Sequence, residues 1–227
     1  MKRFTENLQR HEDTGRLGAL LEQVVADASL HARFVNTLSR MEYVGVRKML
    51  KARHAEDLDE EGLQHVIEEA SHALRLKRAA LKLAPDRALL EDYSEGATLG
   101  GSAGEAYMQG VDRGCERELE ALGLEERRRA ELNYLLSSAV IEVRAEVFYP
   151  LYEQALRAAE APFSVAAIQK DEARHLAEME EALAAALPEH WEGLVRSALA
   201  CEAGCFRAWL EAVEQSLQVA PAGAARA

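Results

Sequence analysis

Apolar residues return every three or four positions along almost the whole chain, and no stretch alternates as a half-buried strand does. That period restricts the chain to helices packed on helices. Prolines and charged turns cut the pattern into pieces. A short opening helix is expected near 14–27, and a long one from about 30 to 54. "HAEDLDEEG" reads as a turn in which Asp57 or Asp59 caps a second long helix, about 59–84, that stops before Pro85. Residues 85–124 differ. There "YSEGATLGGSAGEAY" reads as loop and "AYMQGVDRGCERELEALG" as a short helix weakened by glycine. A third long helix, about 125–159, has Pro150 as a kink point. Pro162 suits the first turn of a fourth, about 162–187. Pro188 then starts a fifth that ends near 218, and "APAGAARA" reads as a frayed tail.

Two helical hairpins joined by one long crossover predict an all-α fold: a four-helix bundle with an extra C-terminal helix. The bundle core spans about 30–187 and the added helix about 188–218, in a single domain over 1–227. The alternative is an ordinary helical array without a site. A chain of 227 residues is long enough to bury a substantial core.

Charge and composition exclude several classes of function. The net charge of −12 argues against nucleic acid as a partner, because phosphate binding needs clustered cations. No apolar run approaches the roughly 20 residues that span a bilayer, so no membrane association is expected. The opening "MKRFTENLQR" has no signal-peptide segment, and three cysteines make no disulfide framework. A cytoplasmic protein is the simple expectation.

The pattern acid-Glu-x-x-His occurs twice, as "EEASH" at 68–72 and "DEARH" at 171–175. Glu and His three apart project from one helix face, where they can grip one metal ion. With seven His and 31 Glu among 227 residues, about one Glu-x-x-His is expected by chance, so repetition alone proves little. Placement adds more. Glu42 lies in line with Phe34, Leu38, Met41, Gly45 and Met49. Glu69 and His72 fall on the face set by Val66, Ala70, Ala73 and Leu76. Glu142 and Glu146 share a face with Leu135, Ala139 and Tyr149, and Glu172 and His175 accompany Ile168, Met179 and Ala182. Each long helix therefore aims at least one carboxylate inward.

Unpaired buried carboxylates cost several kcal/mol each. Two divalent cations would balance four carboxylates while neutral imidazoles add no charge. Height along the helices agrees with this. Glu42 lies about 18 Å from its helix end and Glu69 about 15 Å from its start, and Glu146 and Glu172 match similarly. Glu142 lies about 6 Å further along, so Glu142 and Glu146 both stay candidates. His65, one turn before Glu69, is a candidate extra nitrogen ligand, with a bundle-end or surface histidine as the plainer reading. Tyr43, Tyr134, Tyr149 and Tyr152 are core filling in the simplest reading, with Tyr149 the candidate for a redox role.

These motifs resemble those of the ferritin-like di-iron carboxylate proteins, which take one Glu from each of two helices and Glu-x-x-His from each of the other two. The resemblance covers about 30–187. It implies metal ligation by Glu42, Glu69, His72, Glu142 or Glu146, Glu172 and His175. The doubled acid-Glu-x-x-His is similar to the oxygen-activating branch, which includes multicomponent monooxygenases and acyl-carrier-protein desaturases. By that similarity Asp171 orients His72 and Glu68 orients His175, Glu68 departing from the usual Asp. "IEVRAEVFYPLYE" with "KDEARH" is also similar to tRNA isopentenyl-adenosine hydroxylases, whose substrate the acidic charge disfavours. His65 resembles, loosely, the extra histidine of arylamine N-oxygenases.

The expected cofactor is a pair of iron ions, or manganese with iron. The expected function is a di-iron oxygenase or oxidase that uses O2 to hydroxylate, desaturate or N-oxygenate a small, apolar organic substrate. Electrons would come from an external donor, since no reductase domain is visible. A monomer or homodimer is expected. The alternative is a ferritin-like ferroxidase that stores or detoxifies iron.

Overall fold

The computed structural model describes residues 1–52 and 58–218, and it is all-helical. The helices are α1 (Lys2–Gln9), α2 (Glu12–Val25), α3 (Ala28–Ala52), α4 (Glu60–Leu83), α5 (Ala103–Glu120), α6 (Glu126–Ala158), α7 (Ala166–Ala186) and α8 (Trp191–Gln218). Two short 3-10 turns, Arg87–Leu90 and Glu95–Ala97, precede α5. The expected tail at 220–227 and the expected cap Asp57 lie outside the described residues. Among those residues, no helix is long and apolar enough to cross a membrane.

Local chemistry sets the helix ends. Asp27 Oδ1 accepts from the amides of Ser29 and Leu30 at 2.8 and 2.9 Å and starts α3. Asp59 Oδ1, one of the two caps the sequence offers, accepts from Gly62 N at 2.8 Å and starts α4. Within α2 the stripe Leu17, Leu20, Leu21 and Val24 is buried, which fixes that helix against its neighbours.

Hairpins α3–α4 and α6–α7 form the bundle. The crossover packs α5 against α6 and α8, so α8 closes the flank beside α6. The segment before α5 is held to α3 through its backbone. Asn36 Nδ2 donates to the carbonyls of Asp92 and Ala97, and Thr37 Oγ1 bonds both the amide and the carbonyl of Leu99. Lys77 of α4 donates to Asn36 Oδ1 and to the carbonyls of Leu90 and Asp92.

Several sequence expectations need correction. The opening helix near 14–27 is preceded by α1, whose only large apolar anchors are Phe4 and Leu8, too few to show a period. The fourth helix starts at Ala166, not in the turn at Pro162. The Glu153 carboxylate accepts from Val165 N and from Ser164 Oγ, holding that segment outside the helix. The fifth begins at Trp191, three residues after Pro188. The glycine-containing helix is a full 18-residue element, α5. Its glycines bring α8 close: a Cβ at Gly110 would sit 2.7 Å from Cys205 Sγ, and one at Gly114 2.5 Å from Cys201 Sγ. The α6 helix continues past Pro150.

Candidate metal centre

The four bundle helices each deliver ligand-type side chains to one level of the interior. Their ligand atoms form two groups, each with all atoms within 4.8 Å of one another: Glu42, Glu69, His72 and Glu172 in one, His65, Glu69, Glu142 and His175 in the other. Glu69 belongs to both. Gly45 of α3 leaves space beside it, since a Cβ there would meet Glu69 Oε2 at 3.9 Å.

Both motif histidines turn Nδ1 inward and Nε2 outward. His72 Nε2 lies 3.1 Å from Asp171 Oδ2 and its Nδ1 lies 3.1 Å from Glu172 Oε1. His175 Nε2 lies 2.9 Å from Glu68 Oε2, and its Nδ1 lies 3.3 Å from Glu69 and 3.2 Å from Glu172. The acid of each motif thus holds the histidine of the other. Glu68, longer than an Asp, is steadied by Gln64 Nε2 at 2.9 Å and by Arg174 Nη2 at 2.5 Å.

Electrostatics among the cluster's own side chains show a charge problem that protons partly solve. Burial and the nearby Glu69 and Glu172 push the Glu42 carboxyl well up. Burial and Glu172 do the same to Glu142. Burial also opposes charge on Glu69, yet the imidazoles of His175, His65 and His72 outweigh it and hold that carboxyl below its usual range. Burial opposes charge on both motif histidines as well. Their carboxylate neighbours win, Glu172 foremost, raising His72 to about 9 and His175 to about 10.

Two buried atoms of the cluster nevertheless have no hydrogen-bond partner: Glu69 Oε1 and His72 Nδ1. Each has carboxylate or imidazole neighbours within 3.4 Å but not in hydrogen-bond geometry. Atoms that converge without bonding one another, in a mixed carboxylate and imidazole set, fit a metal ion. The cluster could hold one.

A cavity of about 120 Å³ opens on this cluster. Glu42, Glu69, Glu142, Glu172 and His65 line it, together with Phe148 and Tyr149 of α6, Tyr107 of α5 and Phe206 and Trp209 of α8.

The structure thus brings together Glu42, Glu69, His72, Glu142, Glu172 and His175, with Asp171 and Glu68 behind the histidines. It separates the two α6 candidates, since Glu142 joins a ligand group and half-buried Glu146 joins neither. His65 is buried, contrary to the plainer surface reading, and its ring centroid lies 4.0 Å from that of His175. Tyr149 OH donates to Glu42 Oε1. Tyr152 OH pairs instead with His31 Nε2 at 2.8 Å, and Tyr43 is 46% exposed, so it does not fill the core. Sequence reasoning missed Arg144, Glu202, Tyr107 and Trp209. Arg144 and Glu202 each break an apolar stripe of their helix, which was the available signal. Comparison with protein-family models, with curated proteins and with solved structures gives no match.

Proposed function

We propose that the protein is a di-iron oxidoreductase that uses O2 to oxidise a small organic molecule held in the cavity. The observation that carries this reading is the convergence of two ligand groups, sharing Glu69, on the floor of an aromatic-lined cavity. The ligand set also resembles that of ferritin-like di-iron carboxylate proteins. Glu42, Glu69, His72 and Glu172 would hold one ion, and Glu69, Glu142, His175 and His65 the other. Four carboxylates would then balance two divalent cations. Bound there, two ferrous ions would supply electrons to O2 beside the cavity.

The chain's own groups have definite tasks in such a centre. Asp171 and Glu68 accept from the Nε2–H groups, which fixes both rings with Nδ1 inward. Tyr149, kept as a neutral phenol by burial and the nearby Glu42 charge, donates to Glu42 and sets that carboxylate's orientation. Phe148, Phe206 and Trp209 exclude water from the reacting volume. Inserting one oxygen atom of O2 into a C–H or N–H bond takes two electrons from the substrate and two from an outside donor. The second atom leaves as water. Storage of iron requires no such cavity, which favours organic oxidation over a ferroxidase store.

The test is anaerobic Fe(II) loading followed by exposure to O2. About two metals per chain are expected, with O2 consumption that stops after stoichiometric iron oxidation when no reductant is supplied. Less than about half an equivalent of metal would overturn the reading. Continued mineralisation of iron in a large particle would decide for storage.

A further inference from the structure

The cavity wall carries two donors that metal binding does not use. Arg144, 4% exposed, forks onto Glu202 through Nε at 2.8 Å and Nη2 at 2.7 Å, and Tyr107 OH donates to the same carboxylate at 2.9 Å. Its Nη1 is buried without a partner, and so is Nε1 of Trp209, a residue 2% exposed. Both residues line the cavity. Guanidinium and indole nitrogens can only donate, and native interiors seldom leave such donors unmet.

The missing partner is an acceptor and not a counter-charge. Arg144 is already matched by Glu202, which is fully buried. A ligand carboxylate would add a second negative charge beside that pair and near four cluster carboxylates, with no cation left to balance it. A neutral carbonyl, amide or hydroxyl oxygen can accept from such donors without that cost. Volume limits the rest of the molecule. A cavity of about 120 Å³ is close to the roughly 150 Å³ apolar void known to take a benzene-sized guest. The wall beside the donors is aromatic, with the Arg144 guanidinium 3.9 Å above the Phe206 ring centroid.

We propose that the cavity takes a compact molecule of about one aromatic ring that carries a neutral oxygen acceptor. The acceptor sits on Arg144 Nη1 and Trp209 Nε1, and the apolar body extends toward the carboxylate–histidine cluster. The inference names the substrate class of the proposed oxidation and rests on that reading for its catalytic meaning. Its binding prediction stands apart from the metal.

The test uses the full chain, metal-free and zinc-loaded, and NMR titration with three probes of similar shape. Acetophenone has the neutral acceptor, α-methylstyrene replaces its oxygen by carbon, and benzoate carries a charge. Relative to their partition into octanol, acetophenone should bind at least about tenfold tighter than α-methylstyrene, and benzoate should be weakest. Trp209→Phe keeps a ring but removes the N–H. It should weaken acetophenone about tenfold while α-methylstyrene changes by less than about twofold. Equal corrected affinities for the two neutral probes, tightest binding by benzoate, or no binding of acetophenone at millimolar concentration would each overturn the proposal. The comparison of probes on the unaltered protein holds even if the variant does not fold. Failure of iron loading leaves this readout intact, and failure here with two metals bound removes the ligand assignment alone.

Discussion

Loading the cluster with metal should expel protons, and the structure sets how many. A metal ligand imidazole must be neutral at the coordinating nitrogen. In the metal-free protein His72 titrates at about 9 and His175 at about 10, so both are imidazolium at pH 7. Glu42 and Glu142, pushed up by burial, would give up two further protons on coordination. Between two and four protons should therefore leave per pair of metals. Removing the imidazolium protons at pH 7 spans two pH units for His72 and three for His175, a cost on the order of 7 kcal/mol. That cost shrinks as pH rises, and the two imidazoles alone should raise affinity for the metal pair about 100-fold between pH 7 and 8, and less per unit as His72 titrates. Folding without metal has the opposite sign. The imidazolium contacts stabilise the metal-free protein fully below the ordinary histidine value of 6.5 and are lost as pH rises through 9 and 10. The assay is calorimetric titration with redox-inert Zn(II) in buffers of different ionisation enthalpy, repeated across pH. A count below one proton at pH 7, or an affinity flat between pH 6.5 and 8.5, would refute the reasoning.

Two further outcomes follow from separate parts of the molecule. Asp171→Asn replaces the carboxylate 3.1 Å from His72 Nε2 by a neutral amide and should weaken metal binding about 10–100-fold while helicity is retained; unchanged affinity in a metal titration would show Asp171 to be a surface acid. Gly114→Ala drives a methyl against Cys201 Sγ and should destabilise the fold by about 1–3 kcal/mol in urea unfolding. Cys201→Ala in the same chain should restore most of that loss, and an equal cost in both backgrounds would exclude the α5–α8 contact as its cause.

The helices and inward acids were legible because both follow from local periodicity. Glu42, Glu69, His72, Glu172 and His175 each continue an apolar stripe, so their helices carry them inward wherever the bundle forms. Glu142 and Glu146 could not be separated that way. They lie one turn apart on nearly the same face, and only the packing of α6 against α7 decides which joins the cluster. Asp59 was readable as a cap because its partner lies three residues away. The start of α7 was not, because Glu153 draws off the Val165 amide from another helix. Gly110 and Gly114 read as defects in α5 until α8 is known to pass within reach of their missing side chains. The Arg144–Glu202 pair spans two helices, and no local pattern joins an arginine on one to a glutamate on the other.

The crossed grip of Asp171 on His72 and of Glu68 on His175 makes neither hairpin self-sufficient. An α3–α4 hairpin alone would have one histidine without its acid and one acid without its histidine, and α6–α7 alone would have the converse. A chain still emerging, or one with a single hairpin formed, therefore presents scattered weak donors and no trap for a cation. Only closure of both halves completes the cluster, so metal capture would act as a receipt for completed assembly. It would also pin the halves in register, because a slip of one turn would part both acid–histidine pairs at once.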